Sequence, residues 1–448
     1  MSPQTEQPMC PFAIDPLGRD IHAETAAIRS RGTAARIELP GGVPAWSVTG
    51  YEACRRLLAD PRLSKDPEQH WPAWISGEVD TGWSLSMWVT IRSMFTAYGS
   101  EHARLRGLVA SSFTARRTEA MRPAVERITA ELLDRLAAFP PGHAFDLRTE
   151  FATPLPARIV CELFGVPEES SGEMCALFDR LFDTSTETPE VQRCAERLYA
   201  LLSGLVEAKR RAPGPDLTSA LVHAQQVEQR CDERELLDTL VHLLSAGFET
   251  TVNLIDHAVH ALLTHPDQLA LVRSGAVSWQ DVVEETLRWQ PPAAHLMLRY
   301  AVEDIDLGDV LIPRGDAVVI SVAGAGRDPE THGADADAFD VTRPTRRGHL
   351  SFGHGAHHCL GAPLARMEAA VALSRLFERF PGLALAAPSD TLRPLASFIS
   401  NGHRELPVTT GGARPGRPGR QRAGTTVPAQ RTGARTPSPT RPGVPAAR

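Results

Sequence analysis

Phe352-Gly353-His354-Gly355-Ala356-His357-His358-Cys359-Leu360-Gly361-Ala362 is the stretch of this 448-residue chain from which the rest can be read. Two closely spaced glycines stand before the cysteine and one after it, which permits tight turns and close backbone approach. Helical periodicity sets in at Leu364 and runs to Phe380, where Pro381-Gly382 closes it. Cys359 therefore falls near a helix N-terminus, where the dipole and free N–H groups favour thiolate over thiol. A thiolate held by backbone donors, on a loop too narrow for bulky side chains, suits an axial ligand to heme iron. Two other readings stand beside it. His354, His357, His358 and Cys359 offer zinc-type ligands, but they crowd one turn and no distant Cys/His pair completes a tetrahedron. A nucleophilic cysteine needs a His and an Asn or Asp partner, and none is indicated.

Working outward, the best-defined element runs from Asp232 to His265. Asp232 with Glu235 three residues later makes a capping-box start, and His265-Pro266 marks the stop. Such a helix spans roughly 50 Å, enough to cross a whole domain. Its flanks are apolar (Leu236, Leu240, Leu244; Leu254, Ile255, Val259), but its centre reads Ala246-Gly247-Phe248-Glu249-Thr250-Thr251. Glycine weakens a helix there, and threonine can bond back to the carbonyl four residues earlier. An ordinary kink with a solvated glutamate and a functional site fit this segment equally well.

Further helical periodicity covers Gly99–Glu131, Val125–Leu136, Pro154–Phe164 and Arg193–Arg210. Strand-like pieces are short: Ala35–Leu39, Ala45–Val48, Val310–Ile312, Ala317–Ser321 and Leu406–Thr409. The expected fold is mainly α with small peripheral β-sheets, one domain over residues 1–410. Eight arginines and no acid follow from Gly411 to Arg448, which leaves residues 1–410 at net −15 against −7 for the chain. That segment holds seven Pro and seven Gly but no aromatic, Leu, Ile or Met, so it reads as a disordered basic tail.

Composition narrows the function classes. The apolar residues and 34 glycines together reach the globular norm, which excludes a disordered or fibrous protein. No stretch approaches the ~18 apolar residues of a membrane span. The first twenty residues lack the basic and apolar regions of a secretory signal. Seven cysteines, odd in number and without a CxxC pair, read as reduced thiols of a cytoplasmic protein. The acidic body argues against a nucleic-acid partner, and no aromatics interleave the tail's arginines.

In several separated motifs, in order, residues 15–410 resemble the cytochrome P450 heme-thiolate monooxygenases in their soluble actinobacterial form. FGHGAHHCLG (352–361) matches the family's heme-binding loop, which implies Cys359 as the proximal metal ligand, with Phe352, Gly353 and Gly361 around it. AGFETT (246–251) matches the distal-helix motif, which implies a long central helix over the heme, Ala246 and Gly247 against the cofactor, and Glu249-Thr250 as the catalytic acid–alcohol pair. Glu285 and Arg288 match the ExxR helix, and Arg343 in FDVTRP fits the arginine completing that ion-pair triad. His102 and Arg106 in HARLR, Arg299 and His357 match groups that pair with the heme propionates. The segments HWPAWISGEVDTGW and MFTAYGSEHARLR look most like a branch acting on steroids, macrolides and polycyclic compounds. One departure is Tyr98-Gly99-Ser100, where relatives often carry Asp-Pro-Pro.

The resemblance implies heme b as cofactor and O2 as co-substrate, with Thr250 and Glu249 handling the protons that oxygen cleavage requires. It implies an apolar small-molecule substrate, a secondary metabolite or steroid-like compound. Four of the seven tryptophans (Trp71, Trp74, Trp83, Trp88) fall within eighteen residues, either as an aromatic wall for a flat ligand or simply packing their own loop. Trp83, Met87, Phe178, Phe182, Ala293, Ala294 and Phe398 are the pocket candidates by the same analogy. No Gly-rich dinucleotide fingerprint follows a strand and no Fe–S cysteine cluster exists, so a separate ferredoxin and ferredoxin reductase are implied as electron donors. Two other outcomes stay open: oxidative C–C or C–N coupling of aromatic substrates such as cyclic dipeptides, and a non-catalytic heme sensor.

Overall fold

A computed structural model describes residues 10–411, and all of them fall in one compact unit. The basic tail expected from Gly411 lies, from residue 412 on, outside the described residues.

The central helix spans Glu233–Thr264 and starts with the full capping box: Asp232 Oδ1 accepts from the Glu235 N–H at 2.7 Å, and the Asp232 N–H donates to Glu235 Oε2 at 3.0 Å. Pro266, opening the next helix, forbids its continuation. Every residue from Thr251 to Val259 is buried, so this half of the helix is covered on all sides. The helices Pro154–Phe164, Trp279–Trp289 and Ala362–Arg379 pack against it, and Arg122–Ala137 closes the layer behind. No break occurs at Gly247. The helix stays regular, and Gly247 lets the Pro154–Phe164 helix approach: a Cβ there would meet Val160 Cγ2 at 3.2 Å.

The continuous helical zone expected over Gly99–Glu131 is instead four pieces, Gly99–Val109, a 3-10 turn Ala110–Phe113, Ala115–Ala120 and Arg122–Ala137. Thr114 caps the third with its side chain and Pro123 sits in the first turn of the fourth, each a start signal inside the periodic run.

Of eleven strands among the described residues, six form the main sheet. These are β1 (Phe12–Ala13), β2 (Ala34–Leu39), β3 (Val43–Val48), β9 (Ala317–Ser321), β6 (His295–Ala301) and β4 (Leu63–Ser64), in that spatial order. Strands β5 (Ala144–Asp146), β10 (Ala384–Leu385) and β11 (Pro407–Thr409) make a second sheet, and β7 (Ile305–Asp306) pairs with β8 (Leu311–Ile312). The β6–β9 register slips between Leu296 and Arg299, and such an irregularity re-aims the side chains around it. β4 pairs with the end of β6, Ser64 facing Tyr300, which brings Lys65 beside Arg299. No helix among the described residues is long and apolar enough to cross a membrane.

Candidate active site

The Cys359 loop folds back on itself: the Cys359 N–H donates to the Phe352 carbonyl at 2.9 Å. Gly353 and Gly355 take φ of +70° and +73°, the left-handed region that needs glycine. At Gly355 a Cβ would also press to 2.9 Å of Ala59 Cα and Leu58 O, on the helix Tyr51–Ala59 packed behind the loop. The loop is held from the other side by Arg366, which grips Glu284 (2.6 and 3.1 Å) and lies over the Phe352 ring at 4.4 Å, while His349 bonds the same carboxylate at 3.0 Å.

Cys359 precedes the Ala362–Arg379 helix by three residues, as expected, and the Gly361 and Ala362 N–H groups bond its sulfur. The thiol is nevertheless pushed up, because burial outweighs those donors and the nearby Arg106 and Arg366. Cys359 opens on an interior cavity of about 290 Å³, which it shares with Phe352, Gly353 and Gly361 on one side and Ala246, Gly247 and Thr250 on the other. A roomier groove, about 740 Å³, lies against the helix Tyr51–Ala59, but Cys359 does not border it.

Around that cavity stand His102, Arg106, Arg299 and His357, four of the candidates named from the sequence, and one cation not named there: Lys65. Lys65 and Arg299 are 6% and 4% exposed, yet neither they nor Arg106 pairs with a carboxylate among the described residues. Lys65 donates to the Met297 carbonyl at 3.0 Å and sits 3.6 Å over the Phe95 ring; Arg106 donates to His358 O at 2.8 Å. Arg299 Nε and His102 Nε2 are buried without any partner. The His102 and His357 rings are 4.0 Å apart. Burial pushes Arg299 down to about 10 and Lys65 well below its ordinary value, Arg299 adding to the latter; burial and the same cations lower both histidines. Burying uncompensated cations is costly, so this cradle suits an anion, and the two carboxylates of a heme would pair with its cations while Cys359 offers the iron a ligand. Heme fits the residues present.

Glu249 and Thr250, adjacent on the central helix, open to different sides. Thr250 borders the Cys359 cavity and donates its hydroxyl to Ala246 O at 2.7 Å. Glu249 is 2% exposed and borders a second, more polar cleft of about 420 Å³ with Arg148, Asp179 and Ser400. Ser400 Oγ donates to Glu249 Oε1 at 2.9 Å, Asn253 Nδ2 at 3.1 Å and Arg148 at 3.4 Å, and Oε2 has no partner. A solvated glutamate is thereby ruled out. Asp179 is pushed up to about 6 by burial and by the charge of Glu249.

Glu285 and Arg288 are both fully buried and paired in a fork, 2.6 and 2.8 Å, with Arg288 also donating to the carbonyls of Gly326, Ala336 and Ala338. Arg343 lies 3.6 Å from the same carboxylate but bonds chiefly to His332 O and Asp335. It completes the triad loosely.

The pocket candidates scatter. Ala293 borders the cavity. Trp83 does not: its indole N–H donates to Pro40 O at 2.7 Å and its ring meets Trp71 edge-on, so it packs between the loop and the main sheet. Phe398 joins the same sheet-side cluster, Met87 and Phe178 the main core, and Ala294 a small cluster with Ile21 and Ala323. Phe182 borders the Glu249 cleft and lies 4.8 Å from the Trp88 ring. The unforeseen cavity residues Phe95, His242 and Leu243 come from the stretch after the tryptophans and from the central helix one turn before Ala246.

Comparison with known proteins identifies the family. A family model described as Cytochrome P450 matches residues 279–393. The chain is 46% identical over 400 residues, 89% of its own length and 97% of the relative's, to the 2-hydroxy-5-methyl-1-naphthoate 7-hydroxylase of Streptomyces carzinostaticus. It is 41% identical over 378 residues to the 6-deoxyerythronolide B hydroxylase of Saccharopolyspora erythraea, covering 83% of this chain and 91% of that one. Among solved structures, CYP154A1 from Streptomyces coelicolor A3(2) superposes with a TM-score of 0.85 at 51% identity, covering 89% of this chain and all of that one.

Proposed function

The chain belongs to the cytochrome P450 family, and from that premise we propose that it hydroxylates an apolar, polycyclic secondary metabolite with O2 at the Cys359 cavity. The observation that carries the reading is the set of buried cations, none paired with a carboxylate among the described residues, facing the cavity onto which the Cys359 sulfur opens. Heme b, bound through Cys359, supplies the activation of oxygen. The chain's own residues do the rest. Gly361 and Ala362 hold the sulfur through their N–H groups, and Lys65, His102, Arg106, Arg299 and His357 hold the two carboxylates. Because the Thr250 hydroxyl hydrogen is committed to Ala246 O, its oxygen lone pairs are free to accept from a water in the cavity. Glu249 collects protons from the polar cleft on the far side of the helix, held there by Ser400, Asn253 and Arg148. Separating the proton supply from the apolar cavity lets protons in while bulk water stays out.

The relatives named above act on a naphthoate and on 6-deoxyerythronolide B by their names, which supports a bulky polycyclic or macrocyclic substrate. A ferredoxin and its reductase supply electrons in this reading, in the cytoplasm, and the catalytic domain covers residues 1–410. The test of the proton route is Thr250→Ala. Product formed per NAD(P)H consumed should fall by ~10-fold or more while reductant consumption persists as peroxide. An unchanged ratio would remove Thr250 from the route.

A further inference from the structure

The second half of the central helix carries a cluster that the oxygen chemistry does not use. Asp256 is fully buried, and its Oδ2 accepts from the His403 backbone N–H at 2.8 Å and from His403 Nδ1 at 3.0 Å, with Arg148 3.7 Å away. Its other oxygen, Oδ1, has no donor. His257, 3% exposed, donates through Nε2 to the Asn401 carbonyl at 3.0 Å. That bond fixes the tautomer and leaves Nδ1 as a lone pair, which also has no donor. Ligand atoms of Asp256, His257 and His403 all lie within 4.8 Å of one another.

Two buried acceptors without a donor are costly unless a cation or a water reaches them. The charge balance favours the cation. Arg148 lies within ion-pair distance of both Asp256 and Glu249, so one guanidinium answers two buried carboxylates. A carboxylate with two imidazoles is the donor set of zinc-class metals rather than of magnesium or calcium. We propose that Asp256, His257 and His403 bind a zinc-class divalent cation, at a site separate from the Cys359 cavity, pinning the Asn401–His403 loop to the central helix. Entry is from the side of His403 and His260, both only partly buried, whose rings lie 4.7 Å apart. The same loop carries Ser400, the donor to Glu249, so the ion steadies the partner of the cleft's acid.

The experiment uses full-length, heme-loaded protein stripped with EDTA and titrated with zinc chloride, then desalted. Zinc and iron are counted by elemental analysis and the thermal midpoint is followed. One zinc per chain beyond the heme iron is expected, with a midpoint that rises and saturates at one equivalent. Asp256→Asn and His257→Gln should retain none at unchanged heme content. Should those buried substitutions fail to fold, His403→Gln at its partly exposed position should lose the zinc while keeping heme. Wild type that retains no zinc, a pair of acceptors bridged by water alone, overturns the proposal, as does equal zinc in the variants.

Discussion

Lys65 and Arg299 face one cavity and neither pairs with a carboxylate among the described residues, so the isolated protein carries a desolvation cost that a bound dicarboxylate removes. Replacing Lys65 with methionine separates the two states. The heme-free chain should gain stability, because an unpaired buried cation is gone, while heme passes to excess apomyoglobin about 10- to 100-fold faster, matching the loss of one charged hydrogen bond. A heme-free chain that loses stability, or heme transfer that is no faster, would remove Lys65 from the cradle. At this scale legibility in the sequence was uneven for a physical reason. Cys359 announced itself because its neighbours needed positive φ and said so as glycine. Lys65 sits in an unremarkable Leu-Ser-Lys-Asp run, and only the pairing of β4 with β6 brings it to Arg299. Glu249 and Thr250 were legible as a pair, but that they open to different sides of the helix depends on what packs around it.

Elements carry the stability argument. The Glu285–Arg288 fork is fully buried, and Arg288→Leu strands the carboxylate; a loss of about 3–5 kcal/mol is expected from denaturant midpoints, against which an effect under ~1 kcal/mol would mark a solvated pair. Glu284 gives a pH test. Burial raises it, but His349 and Arg366 pull it further, from 4.5 down to about 2. A depressed carboxylate stabilises the fold above its unfolded value and loses that contribution as pH falls from 4.5 through 2, a span of about 3 kcal/mol. Glu284→Gln should flatten that slope and lower stability at neutral pH; an unaltered acid profile would contradict the assignment. The central helix was legible from its caps, Asp232 with Glu235 and His265-Pro266. Strand β6 was not, because HLMLRYA is buried almost throughout and so shows no alternation of apolar and polar residues.

Over the whole molecule, the tryptophans show how packing overrode a substrate reading. Trp71 stacks on Tyr300 at 5.1 Å and Trp83 abuts it, so these rings hold the loop to the main sheet instead of facing the cavity. With no flavin or dinucleotide fingerprint in the chain, NAD(P)H alone should give no turnover, and a ferredoxin with its reductase should restore it; turnover on NAD(P)H alone would refute the need for a partner. Every role assigned to the cavity depends on sulfur from Cys359 meeting the heme iron. The direct measurement is the absorption spectrum of intact, heme-loaded protein, reduced and exposed to carbon monoxide. The expected result is a Soret band at the long-wavelength position given by thiolate opposite carbon monoxide, absent in Cys359→His; a band at the imidazole position in the wild-type protein would contradict it.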